Sequence, residues 1–332
     1  MSDSTAAGRR FEQPGSEPRW LGEPVVTFEG GPSDLSGHIP AFDRRPFALG
    51  AAPHPNELAL NYGENPYKDV IVRRPLDGET EMPVGVVSKS YKLVQHRVLF
   101  NAALDAFQRR QINTDQVRTI LRLTRFGGRM ALEFRLPDEF DFDPGDGNIL
   151  KLSFHCFNSV DGSMKLFIAF GWFRFVCNNG VLVGTTKLRH RMVHNEYLEL
   201  PDLAILLAQG LADADGEKEN YRKWLGTAID KQKLTAWVDG ALRKKWKALA
   251  AARVFHICTT GNDGKYADAF ETAPPSQKRM IDTRWVPGAV APATNAYSVC
   301  QALSWVATQK PDISDQLELT REIPELMHAL VK

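Results

Sequence analysis

The chain predicts an α+β fold: an antiparallel β-meander sheet with flanking helices, a helical C-terminal region and a disordered N-terminal arm. Three observations lead there. Strand-length runs punctuated by Gly127-Gly128 and Asp161-Gly162 fill the middle of the chain. From about Pro201 the apolar residues recur at helical spacing instead. The first 55 residues hold eight Pro and seven Gly with little periodicity. The expected units are an arm over 1–55, a sheet core over 56–200 and a helical region over 201–332 packed on or beside it.

Within the arm, Pro24-Val25-Val26-Thr27-Phe28 is apolar enough to dock onto the body. Strands follow at Val70–Arg73 and Pro83–Ser88, separated by the turn Leu76-Asp77-Gly78-Glu79. His96–Arg110 places Leu99, Ala103, Leu104 and Phe107 on one helical face. A two-residue turn at Gly127-Gly128 pairs Leu123 with Leu132, Leu121 with Phe134 and Thr119 with Leu136. It sets Arg118, Arg122, Arg129 and Arg135 on the other face. A second hairpin turning at Asp161-Gly162 pairs Phe157 with Leu166, His155 with Ile168 and Asn158 with Lys165. Its long second strand, through Phe170–Val176, is apolar on both sides and reads as central and covered twice. Asn178-Asn179-Gly180 turns into a short return strand at Val181–Val183. Helices are expected at 202–212, 217–229, 231–253, 294–309 and 314–330, with an irregular connection over 259–292.

No apolar run reaches the ~20 residues that span a bilayer. No charged-then-apolar leader opens the chain. Four scattered cysteines, with no CxxC pair, fit reduced thiols and a cytoplasmic location. The net charge of +1 conceals a segregation. Residues 89–135 hold ten Lys or Arg against three Asp or Glu, 165–197 five against one, and 218–253 ten against three. These stretches total +18 and leave −17 for the remainder, so a basic face can coexist with overall neutrality.

Three segments carry a family resemblance: Val86–Gln95 before the first helix, Phe173–Gly180 with the basic element Arg189-His190-Arg191 behind it, and Asn295–Thr308. In order and spacing they resemble a family of phage- and plasmid-borne proteins known only as a domain of unknown function, number nine hundred and thirty-two in its series. Two elements depart from that pattern: Arg19-Trp20-Leu21-Gly22 stands for a Trp-His-Gly-type element, and Gln309 replaces a frequent His. The resemblance implies a mobile-element origin and carries over no catalytic residue. The order helix, antiparallel meander, helix is also similar to the cores of Rad52-type strand-annealing proteins, which implies an oligomer.

Catalytic signatures are lacking. There is no phosphate-binding glycine loop, GxSxG elbow or Rossmann fingerprint. His190 and His194 are four apart but lack a third ligand, and Gly145 breaks the calcium-loop pattern around Asp141 and Asp143. No metal or other cofactor is expected. The reading is therefore a non-catalytic nucleic-acid-binding protein, with single-stranded DNA the favoured partner and no membrane partner. Phosphates would meet Arg118, Arg122, Arg129, Arg135, Lys165, Arg174, Lys187, Arg189, His190, Arg191, Lys244 and Lys245. The alternatives are a protein-interaction component, for anti-defence or plasmid maintenance, and a metal-dependent nuclease using part of the acidic loop Asp138, Glu139, Asp141, Asp143 and Asp146.

Overall fold

The glycine-punctuated runs pair as neighbouring strands: Arg118–Thr124 and Arg129–Arg135 alternate apolar and polar residues, while Leu166–Arg174 is apolar on both faces. The computed structural model describes residues 19–48, 63–75, 80–145, 147, 149–174, 186–263, 286, 289, 291–310 and 313–332. The strands are β1 (Arg19–Trp20), β2 (Glu23–Gly30), β3 (Phe42–Pro46), β4 (Lys68–Arg73), β5 (Met82–Ser88), β6 (Arg118–Thr124), β7 (Arg129–Arg135), β8 (Leu150–Ser159), β9 (Leu166–Arg174) and β10 (Thr186–Met192). The helices are α1 (Pro32–Leu35), α2 (His96–Arg109), α3 (Leu203–Gly226), α4 (Lys231–Trp237), α5 (Arg243–Thr260), α6 (Ala296–Thr308) and α7 (Ile313–Val331). One antiparallel sheet runs β1-β2-β6-β7-β8-β9-β10, and a smaller one runs β3-β4-β5. The α+β expectation holds.

The arm departs from expectation. Residues 1–18 and 49–62 lie outside the described residues, but 19–48 are folded. Pro24–Phe28 does dock: it lies in β2, hydrogen-bonded along β6 with Phe28 opposite Leu121. β3 joins the small sheet, with Phe42 opposite Arg73.

Both hairpin registers are corrected. In the first, Leu123 faces Met130, Leu121 faces Leu132 and Arg122 faces Ala131. Only Gly127 takes a left-handed φ, 75°, and a four-residue connection, 125–128, replaces the two-residue turn. The shift is by two residues, so every side chain keeps its expected face. In the second, Phe157 faces Phe167 and Cys156 faces Ile168. Here Asp161 Oδ1 accepts from the Ser163 N–H at 2.9 Å, and the Ser159 hydroxyl donates to the Met164 carbonyl at 3.0 Å. That wider loop slips the pairing by one residue and sends Leu166, not Phe167, to the helix-covered side.

α2 and α3 cover that side. Leu99, Phe100 and Phe107 from α2 and Leu206, Leu207 and Tyr221 from α3 pack on Leu121, Leu132, Phe134, Phe154, Ile168 and Phe170. Each such fully buried side chain contributes roughly 1.5–3 kcal/mol. β9 lies between β8 and β10, interior as expected but one strand in from the end of the sheet among the described residues. The helices expected at 202–212 and 217–229 are one helix, α3, because Ala214 and Glu217 stay helical and buried. The helix expected over 231–253 divides into α4, a π-helical turn over 238–242, and α5. α4–α7 enclose a second core around Trp237, Leu242, Val254, Leu303 and Leu326. The Leu76–Glu79 turn, the Asn178–Gly180 turn, the Val181–Val183 strand and most of 259–292 lie outside the described residues.

Candidate nucleic-acid interface

Strand alternation puts Arg118, Arg122, Arg129 and Arg135 on the sheet face away from α2 and α3, as the sequence implies. Each meets a carboxylate there. Arg118 Nε lies 2.7 Å from Glu29, Arg122 donates to Glu133 at 3.1 Å, and Arg135 Nε donates to Glu133 at 2.6 Å. Arg129 lies 3.0 Å from Asp161 and 3.3 Å from Glu23, and donates to the Trp20 carbonyl at 2.6 Å. Burial works against ionisation of Glu133, but Arg122 and Arg135 outweigh it and hold the pKa at about 2. His155, in register with Glu133, is pushed by burial down to about 4, and the neighbouring Glu133 only partly opposes this. At neutral pH the face is thus a neutral imidazole beside a carboxylate held by two guanidiniums. Four carboxylates match four arginines.

The other expected residues are scattered. Lys165 is exposed just ahead of β9, and Arg191 is exposed on β10 opposite Phe167. Arg174 ends β9; Lys187 is the extra residue of a bulge; Arg189 and His190 pair with Ala169 and Ile168. Lys244 is exposed on α5, and Lys245 is 2.6 Å from Glu325. His190 lies in a strand, so it and His194 never share a helical face. Among the described residues no three His, Cys, Asp or Glu side chains are grouped to hold a metal. Asp141 accepts from Lys151, and Asp143 accepts from the Gly145 amide at 2.8 Å.

The segment Val86–Gln95 serves as a clamp between the sheets. The buried Tyr91 hydroxyl donates to the Ser159 carbonyl at 2.8 Å, and burial raises its pKa. Gln95 Oε1 accepts from the Phe42 N–H, and its Nε2 donates to the Phe42 carbonyl. His96, just behind, reaches the Gly127 carbonyl at 2.8 Å and the Asn158 amide at 2.9 Å. Those two contacts suit one neutral tautomer, with Nε2–H donating and Nδ1 accepting. Near the other end of the chain, Asn295 caps α6 through the Ser298 N–H, and Trp305 Nε1 donates to Asp263, which also pairs with Arg253.

Three turns meet at one end of the large sheet: 125–128, 160–164 and the exit from β10 after Met192. Arg125, Lys165 and Arg191 are exposed there and form no ion pair among the described residues. The span from β6 to β10 is four strand spacings, about 19 Å. Phe126, with the Arg125 guanidinium 5.5 Å from its ring centre, and Tyr197, 80% exposed, belong to the same end. The sequence reading missed Arg125, Phe126 and Tyr197. The one available signal was Arg125-Phe126 against a glycine pair, which marks an exposed hairpin tip.

No curated protein and no solved structure matches the chain. A family model does, over residues 83–294, which takes in the clamp, β6–β10, α2–α5 and the approach to α6. The chain therefore belongs to the family described as domain of unknown function DUF932.

Proposed function

We propose that this protein binds nucleic acid without covalent chemistry, single-stranded DNA foremost, at the turn end of its large sheet. The observation that carries the reading is the set of exposed cations Arg125, Lys165 and Arg191 at that end, which form no ion pair among the described residues. The basic run from Lys187 to Arg191 lies on β10, the last strand of the large sheet among the described residues. Arg118, Arg122, Arg129 and Arg135 fit a different role, because each already has its carboxylate. For the three most buried, Arg122, Arg129 and Arg135, pulling the guanidinium away costs roughly 3–5 kcal/mol. Phosphate therefore goes first to cations that are free. The acidic loop offers a nuclease little: Lys151 and loop amides already occupy Asp141 and Asp143.

A mobile-element origin and a strand-annealing oligomer belong to this proposal. The buried thiols Cys156 and Cys258, in no disulfide among the described residues, support a reducing, cytoplasmic setting. The test is fluorescence anisotropy with labelled single- and double-stranded oligonucleotides across a salt series. Affinity falls steeply with salt, and Arg191→Ala and Lys165→Ala each lower the slope of log K against log salt by about 1. Absence of binding at low salt overturns the proposal.

A further inference from the structure

We infer that Tyr197 is a base-stacking platform, so the bound strand is one whose bases are unpaired at that point; the inference rests on the nucleic-acid reading above. Tyr197 is 80% exposed, the most exposed large hydrophobic side chain among the described residues. Its backbone is nevertheless pinned on both sides. His194 is buried, lies parallel to the Tyr91 ring at 5.0 Å and donates from Nδ1 to the Lys92 carbonyl at 3.1 Å. Leu198 is buried, and its carbonyl accepts from Lys92 Nζ at 2.6 Å. The short loop between closes on itself, with the Asn195 N–H donating to Val193 O and the Leu198 N–H to Asn195 O, both at 2.9 Å. An aromatic ring is thus displayed to solvent from an anchored pedestal, at little further ordering cost when something stacks on it.

Its surroundings select the occupant. Arg191 and Lys165 stand at the same end of the sheet, and Phe126 under Arg125 repeats the pairing of ring and cation on the far side. Glu196 is the only carboxylate in the 193–198 loop. Cations for a backbone, interleaved with rings for bases, are the composition of a single-strand groove. A duplex keeps its base faces stacked internally and offers this ring nothing, whereas its phosphates still meet the cations.

The test uses the full-length protein with Tyr197→Ala, Tyr197→Phe and Arg191→Ala, titrated against labelled oligo-dT and a mixed-sequence duplex at fixed low salt. Tyr197→Ala weakens oligo-dT binding on the order of tenfold and leaves duplex binding unchanged, while Tyr197→Phe binds as the parent does. Arg191→Ala weakens both ligands. If Arg191→Ala weakens binding but Tyr197→Ala has no effect, or acts equally on both ligands, the stacking role is overturned and the interface stands. If the parent protein binds neither ligand, the nucleic-acid reading falls and this inference with it.

Discussion

The side-chain amide of Gln95 engages both backbone polar groups of Phe42: it accepts from the N–H at 3.1 Å and donates to the carbonyl at 2.8 Å. A glutamine ahead of α2 thereby stands in for a neighbouring strand at the start of β3. Replacing it with Ala strands two half-buried backbone groups. The expected loss is about 2 kcal/mol, visible as a lower urea midpoint with an unchanged m-value.

Glu133 is the counter-charge of Arg122 and Arg135, and it is 2% exposed. Glu133→Leu leaves two guanidiniums on a desolvated face and lowers stability by roughly 3–5 kcal/mol. Glu29→Ala removes a far more exposed partner of Arg118 and lowers it by less than about 1 kcal/mol. Chemical denaturation of the two variants side by side measures the contrast.

Acid weakens the fold in two steps. His96 and His155 are held near 4 by burial, below the ordinary 6.5, so the unfolded chain binds protons first. Their contribution is fully present above pH 6.5 and is lost as pH falls toward 4. Glu133, whose pKa is depressed to about 2 against an ordinary 4.5, adds a second loss as pH falls through that lower range. Urea midpoints measured from pH 8 down to pH 3 fall below pH 6.5, and His96→Gln flattens the first part of the curve.

Gly85 sits where a Cβ would lie 2.5 Å from the Asp161 Cα and 2.8 Å from its carbonyl oxygen. Backbone cannot step aside as a side chain can, so Gly85→Ala separates the small sheet from the β8–β9 turn. It lowers stability by about 2 kcal/mol. A methyl group added at Gly37 meets nothing within 4 Å, and Gly37→Ala stays within about 0.5 kcal/mol of the parent. Thermal melts of both variants decide the matter.

The strands and helices were legible because alternation and helical spacing are local. The common face of Arg118, Arg122, Arg129 and Arg135 was legible too, since it needs only a period of two. Their partners were not. Glu29 and Glu23 reach them from β2, and Asp161 from a turn, through pairings that no single segment announces. For the same reason, charge counted along 89–135 overstated how much positive charge is free. The hairpin registers failed by one or two residues because loop length depends on which glycine adopts a left-handed φ and on which side chain caps the turn. Tyr197 was invisible to periodicity because it lies in a loop, where display depends on the anchors at either side.

The bond from Arg129 to the Trp20 carbonyl joins residues 109 apart. β6 to β10 follow one another along the chain and can zip up pair by pair, each new strand finding its neighbour already at hand. β1 and β2 are local partners only of each other. They precede β6 and β7 in the chain, yet their place in the large sheet exists only once those two have formed. Strands made ahead of β6 therefore wait for it, and until then the edge of β2 meant for β6 travels unpaired, a span during which a growing chain is open to mispairing.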